Sequence, residues 1–137
     1  MVEAIEPREF PRMEKKSPRL QILIVDDEPL IRWSVAETLA ERGHEVVEAA
    51  DGSAARGAIC DAARDFDVVV LDYRLPDSED LSLLACIRAM APDTRVILMT
   101  AFGTPEVVQG ALDLGAYCVL AKPFEMHDLA HLVAEAA

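Results

Sequence analysis

Five residues spread across nearly the whole chain carry groups that can do chemistry. Asp26 and Asp27 stand together in "LIVDDEP", Asp72 interrupts "VVVLDYRLP", Thr100 closes "VILMT", and Lys122 precedes a proline in "LAKPF". Adjacent carboxylates repel one another, so the run Asp26, Asp27, Glu28 asks for a cation. Three converging carboxylates with no thiol or imidazole among them suit a hard ion such as Mg²⁺, which keeps several waters and often binds together with phosphate. The same donor set argues against zinc. A dication would lower the repulsion and neutralise an incoming phosphoryl group. Phosphoryl transfer is mostly positioning plus charge stabilisation. Lys122 would act as a point charge on one phosphoryl oxygen, and Thr100 would donate to another. A carboxylate is then left as the nucleophile that forms an acyl phosphate. Asp72, alone on its strand and facing the acidic pair, is the candidate.

Each residue also has a plainer explanation. Asp27 or Glu28 can favour the dipole of a following helix, Thr100 can be a loop hydroxyl, and Lys122 a surface charge. Convergence is what separates the two readings, and convergence depends on the elements. Short apolar runs alternate five times with amphipathic segments. Strands are expected at Leu20–Val25, Glu45–Glu48, Val68–Leu71, Arg95–Met99 and Tyr117–Leu120. Helices are expected at Leu30–Arg42, Ser53–Ala63, Leu81–Met90, Pro105–Leu114 and Met126–Ala137. The unbroken runs Val68–Leu71 and Ile97–Met99 suit strands covered on both faces. Gly43 and Gly115 fit helix stops, and Thr104 before Pro105 fits a helix start. Such alternation predicts an α/β protein with a parallel sheet wrapped on both faces. In these folds chemistry sits at the carboxyl ends of the strands, near the point where strand order reverses. Four of the five expected carboxyl ends carry one of the residues named above.

Composition narrows the field further. The 137 residues suit one domain, and a hydrophobic share of 52% is too high for a disordered polymer. No apolar run approaches the roughly 20 residues of a membrane span, and the opening "MVEAIEPREFPRMEKK" is charged and broken by prolines, unlike a signal peptide. Residues 1–19 read as a flexible leader and 20–137 as the folded domain, in a soluble, cytoplasmic protein. The leader holds five bases and four acids; the rest holds eight bases and 21 acids, a balance of −13. A surface this acidic should not bind nucleic acid directly, whereas it attracts Mg²⁺ or a basic partner face. Cys60, Cys86 and Cys118 form no CxxC pair and read as buried free thiols.

The stretches "ILIVDDEP", "VVVLDYRLP", "VILMTAFG" and "GAYCVLAKPF" together resemble the receiver domain of bacterial two-component response regulators, over residues 20–137. "IRWSVAETLAERGHEV" and "MTAFGTPE" are most similar to receivers attached to sigma-54-dependent, enhancer-binding activators. The resemblance implies a doubly wound, five-stranded, flavodoxin-like (βα)5 fold in three layers. It implies that Asp72 accepts a phosphoryl group from a sensor histidine kinase or phosphotransfer protein. Asp27 would ligate Mg²⁺ directly and Asp26 mostly through water, with Asp72 and the backbone carbonyl of Arg74 completing the protein ligands. Thr100 and Lys122 would bind the phosphoryl oxygens. Phosphorylation would draw Thr100 inward and shift the surface of the fourth helix, fifth strand and fifth helix, which can also pair two copies as a homodimer. The output would be transcriptional control.

The chain departs from the family pattern at several places. Val119 stands where receivers usually have the Tyr or Phe switch, so either Tyr117, two residues earlier, substitutes in part or the aromatic step is missing. Asp80 stands where Gly is usual, which should shift the start of the third helix. Arg74 and Phe102 border the path of the hydrolytic water and should slow loss of the phosphoryl group. His127 and His131 share a helix face and have metal-pair spacing, without an evident third ligand. Trp33 lies opposite the Ile31/Val35/Leu39 stripe, as a partner anchor or a cover for a loop. Two other functions remain open: a degenerate receiver serving as a constant interaction surface, and a Mg²⁺ phosphohydrolase with an aspartyl-phosphate intermediate. Against the latter, no second acid follows two residues after Asp72, and no cap domain is evident.

Overall fold

The computed structural model describes residues 19–61 and 65–137, so nearly all of the expected leader lies outside the described residues. Strands and helices alternate: β1 (Gln21–Val25), α1 (Pro29–Glu41), β2 (Glu45–Ala49), α2 (Gly52–Cys60), β3 (Val68–Asp72), α3 (Ser82–Met90), β4 (Arg95–Thr100), α4 (Pro105–Asp113), β5 (Cys118–Ala121) and α5 (Met126–Ala136). The five strands form one parallel sheet in the order β2-β1-β3-β4-β5. Strand order reverses at β1, which lies between β2 and β3. Asp26 and Asp27 therefore leave the sheet beside the end of β3, where Asp72 stands.

Alternation along the strands builds two cores, one on each side of the sheet. Leu23, Val25, Val69, Leu71, Val96 and Leu98 face Ala55 of α2, Leu83, Leu84 and Ile87 of α3, and Ala111 of α4. Ile22, Ile24, Val68, Val70, Ile97 and Met99 face Val35 and Leu39 of α1 and Leu129, Ala130 and Val133 of α5. Each fully buried Ile, Leu or Val contributes roughly 1.5–3 kcal/mol, and truncation of Ile24, which is wholly buried, to Ala would cost about 2–5 kcal/mol.

Local signals stop and start the helices as expected. Gly43 and Gly115 take φ of 93° and 97° after α1 and α4, a region closed to most side chains. The Thr104 hydroxyl caps α4 by accepting from the Val107 amide. Most element ends move by one residue, which brings Asp72 into β3 and Thr100 into β4, and three changes matter further. β5 begins at Cys118, so Tyr117 precedes it rather than belonging to it. α2 ends at Cys60, where the next amide returns to the Ala58 carbonyl, rather than at Ala63, which lies outside the described residues. α3 begins at Ser82 instead of Leu81, because the Asp80 carboxylate takes the Ser82 amide at 2.8 Å and leaves Leu81 as the cap. Cys60 ends α2 facing solvent, so the expectation of a buried thiol fails there; Cys86 and Cys118 are half-buried. No helix among the described residues is long and apolar enough to cross a membrane.

Candidate functional site

Asp26, Asp27 and Asp72 each offer a carboxylate oxygen, and all three lie within 4.8 Å of one another. Asp26 and Asp72 are buried; Asp27 is exposed. Lys122 reaches this group from the turn after β5. Its ammonium stands 3.1 Å from Asp26 Oδ2, 3.3 Å from Asp72 Oδ2 and 3.6 Å from Glu28 Oε1. The Lys122 amide donates to the Thr100 carbonyl at 2.8 Å, which ties that turn to the end of β4. Asp72, Thr100 and Lys122 line one cleft of about 320 Å³ together with Asp27.

The electrostatics of the cleft are unbalanced. Burial, and next the facing Asp26 charge, push Asp72 up to about 6 from its ordinary 3.8, while Lys122 and the Arg74 amide offset only part. Burial by itself would lower the Lys122 pKa, but the Asp72 and Asp26 carboxylates outweigh it and raise it. One ammonium among three converging carboxylates leaves negative charge in excess, and the donors are all hard oxygens. These residues fit a small dication such as Mg²⁺. The Thr100 hydroxyl accepts the Phe102 amide at 3.0 Å, and its own proton remains to be donated.

The remaining expected site residues fall at different distances from this centre. The Arg74 guanidinium sits 5.3 Å from the centroid of the Phe102 ring, so the two residues meet over the cleft. Val119 packs against the core on the α2–α3–α4 side. Tyr117 is 41% exposed, and its amide bonds the Val96 carbonyl. That places it four residues back from Thr100 along the sheet, about 13 Å at the strand rise. His127 Nδ1 lies 3.5 Å from an Arg42 nitrogen, and His131 pairs with Glu135 at 3.2 Å. Among the described residues, Asp26, Asp27 and Asp72 are the single group of three or more His, Cys, Asp or Glu close enough to share a metal. Trp33 is 56% exposed on α1.

Three contributors were not legible from residue type. Glu28 turns its side chain toward Lys122 in addition to opening α1. Arg32 donates to the Asp26 carbonyl at 2.8 Å. Asp77, five residues after Asp72, accepts from the Gly52 and Ser53 amides at 2.7 and 3.0 Å, latching the loop after β3 to the start of α2. Those two amides hold its carboxyl below the usual range. The sequence signal for Asp77 would have been a carboxylate available to free helix-start amides, which local spacing does not reveal.

The fold and this carboxylate–lysine–threonine edge, together with the family match, make the chain a phosphorylation-dependent signalling switch. The chain belongs to the response regulator receiver domain family, whose model matches residues 22–134. It is 32% identical over 109 residues to Sporulation initiation phosphotransferase F of Bacillus subtilis, a match covering 80% of this chain and 86% of that protein. It is 37% identical over 118 residues to Response regulator protein PilR of Pseudomonas aeruginosa, covering 86% of this chain but only 26% of that protein. Among solved structures, the CheX-CheY-BeF3-Mg+2 complex from Borrelia burgdorferi matches with a TM-score of 0.78 at 26% identity, covering 85% of this chain and 87% of that one.

Proposed function

We propose that Asp72 is the phosphoacceptor of this switch. Its carboxylate oxygen attacks the phosphorus of a phosphohistidine on a sensor kinase or phosphotransfer protein. The O–P bond forms as the N–P bond breaks, and the electron pair leaves on the imidazole. Asp27 and Asp72, with the Arg74 carbonyl and Asp26 through water, would hold Mg²⁺, which supplies charge neutralisation when bound. Lys122 and Thr100 hold the phosphoryl oxygens. The observation that carries the reading is the Lys122 ammonium within 3.3 Å of both buried carboxylates, in a cleft shared with Thr100. The Thr100 oxygen accepts the Phe102 amide and its proton can go to a phosphoryl oxygen at the same time, which links the acceptor to the segment entering α4.

The output surface is α4, β5 and α5; Leu112 is exposed on α4, and Leu114 and Tyr117 are exposed in the turn between α4 and β5. It suits a homodimer or a downstream regulator; the likeness to the DNA-binding transcriptional regulator NtrC of Azospirillum brasilense, 33% identical over 115 residues, supports transcriptional control, and a cytoplasmic setting belongs to the same reading. The remoteness of Tyr117 from Thr100 favours a switch without the aromatic step. The domain acts as a switch and not as a turnover enzyme, and it binds no nucleic acid directly. The test is exposure to acetyl phosphate or beryllofluoride with Mg²⁺, comparing the wild type with Asp72→Asn by intact mass and amide NMR. Mg²⁺-dependent modification lost in Asp72→Asn is expected; modification that persists in the variant would sink the assignment.

A further inference from the structure

Arg32, in the first turn of α1, takes no part in the phosphoryl chemistry, yet its guanidinium reaches back beneath the acidic pair. One nitrogen donates to the Asp26 carbonyl at 2.8 Å, and Nε donates to Glu48 Oε1 at 3.0 Å. The Arg32 side chain is only 20% exposed. The carbonyl it grips belongs to the peptide unit that joins Asp26 to Asp27. Every other polar group of Asp26 is already tethered. Its amide donates to the Ala49 carbonyl at 3.1 Å, Oδ1 accepts the Glu28 amide at 2.9 Å, and Oδ2 meets Lys122 at 3.1 Å. The soft step between a fixed Asp26 and an exposed Asp27 is the rotation of that one planar peptide. A charge-assisted bond to its oxygen fixes the plane, and with it the direction in which Asp27 leaves the backbone.

We infer that Arg32, held in place by Glu48, is a positioning residue for the dication at Asp26, Asp27 and Asp72; this rests on the reading of that group as the Mg²⁺ site. Two effects of Arg32 oppose each other. Its charge repels a dication, whereas its grip on the Asp26 carbonyl aims Asp27 at one. The Glu48 carboxylate 3.0 Å away offsets the charge, so the grip prevails. Lysine keeps the charge but not the fork that reaches carbonyl and carboxylate together.

The test is an Mg²⁺ titration of the full chain followed by amide NMR at the site, with thermal melts in EDTA as the control for folding. Arg32→Met keeps the apolar stem and loses the donor; it should bind Mg²⁺ roughly tenfold or more weakly, as loss of a group orienting a metal ligand does. Arg32→Lys should fall between Arg32→Met and the wild type. A melting temperature that drops while Mg²⁺ affinity stays at the wild-type value would make Arg32 merely structural and overturn the inference, as would tighter binding in Arg32→Met. If Arg32→Met does not fold, wild-type affinity in Arg32→Lys overturns it equally. A wild type that binds no Mg²⁺ at all would overturn the site reading itself, a result distinguishable from all of these.

Discussion

Lys122 and Asp72 stand 3.3 Å apart at the carboxyl edge of the sheet, and the same ammonium is 3.1 Å from Asp26. One cation therefore serves two buried carboxylates, with Asp27 close by. The site is left short of positive charge by construction, which keeps it receptive to a dication and costs stability in its absence.

That cost has a pH signature. Asp72 titrates near 6 in the folded protein against 3.8 ordinarily, first because burial disfavours the anion and then because Asp26 faces it. The folded state holds this proton more tightly than the unfolded chain does. The contribution therefore favours folding fully below the ordinary value and is lost as pH rises through about 6. In EDTA, Asp72→Asn should be more stable than the wild type at neutral pH, by at most about 3 kcal/mol at 1.36 kcal/mol per unit. The advantage should shrink toward pH 4, within the window bounded by the ordinary value of 3.8. Denaturant melts across that range check both the sign and the closing of the gap.

Mg²⁺ should stabilise the wild type by mass action, about 1.4 kcal/mol at a free concentration tenfold above its dissociation constant. Asp27→Asn should lose most of this gain. Its metal-free stability should change little, because the Asp27 side chain is exposed. Paired thermal melts with Mg²⁺ and with EDTA separate the two effects; an undiminished Mg²⁺ shift in Asp27→Asn would remove that residue from the site.

The stack of Arg74 on Phe102 should slow hydrolysis of the acyl phosphate by obstructing water over the cleft. A cation–π contact of about 0.5–1 kcal/mol corresponds to roughly a two- to fivefold change in rate. Arg74→Ala combined with Phe102→Ala should lose the phosphoryl group faster by about that factor, read as the decay of the phosphorylated mass after the donor is removed. No acceleration would show that the stack does not guard the water path.

Away from the site, His44 accepts the Leu20 amide on Nδ1 at 3.1 Å and is buried. Burial, and next the Arg42 charge, hold its pKa below the ordinary 6.5, against a smaller opposing pull from Asp67. The neutral ring favours folding above 6.5, and this contribution is lost as pH falls through the lowered folded value. His44→Gln, which keeps an acceptor without the titration, should flatten the loss of stability on mild acidification. Comparing the two in an Asp72→Asn background removes the opposing slope of the acceptor.

The order of elements was legible before any coordinates, because unbroken runs such as Val68–Leu71 and stops such as Gly43 and Gly115 act locally. The five chemical residues were legible for a related reason. A strand ending in a polar residue brings it to the carboxyl edge of the sheet whatever the rest of the chain does, so Asp26, Asp27, Asp72, Thr100 and Lys122 could be named from position alone. Boundaries were less secure. Asp80 shifted the start of α3 by one residue, and Tyr117 fell outside β5, because competing side-chain bonds and packing settle such ends.

Only the tertiary structure decided which groups touch. It put one ammonium between Asp26 and Asp72, turned Glu28 toward Lys122, stacked Arg74 on Phe102, and brought Asp77 to the start of α2. It also ran Arg32 back to the peptide between the two opening acids, with Glu48 from the neighbouring strand holding it there. The physical reason is range. Periodicity and capping act over a few residues, whereas contacts between residues 96 apart, such as Lys122 and Asp26, exist only once strand order and register are set.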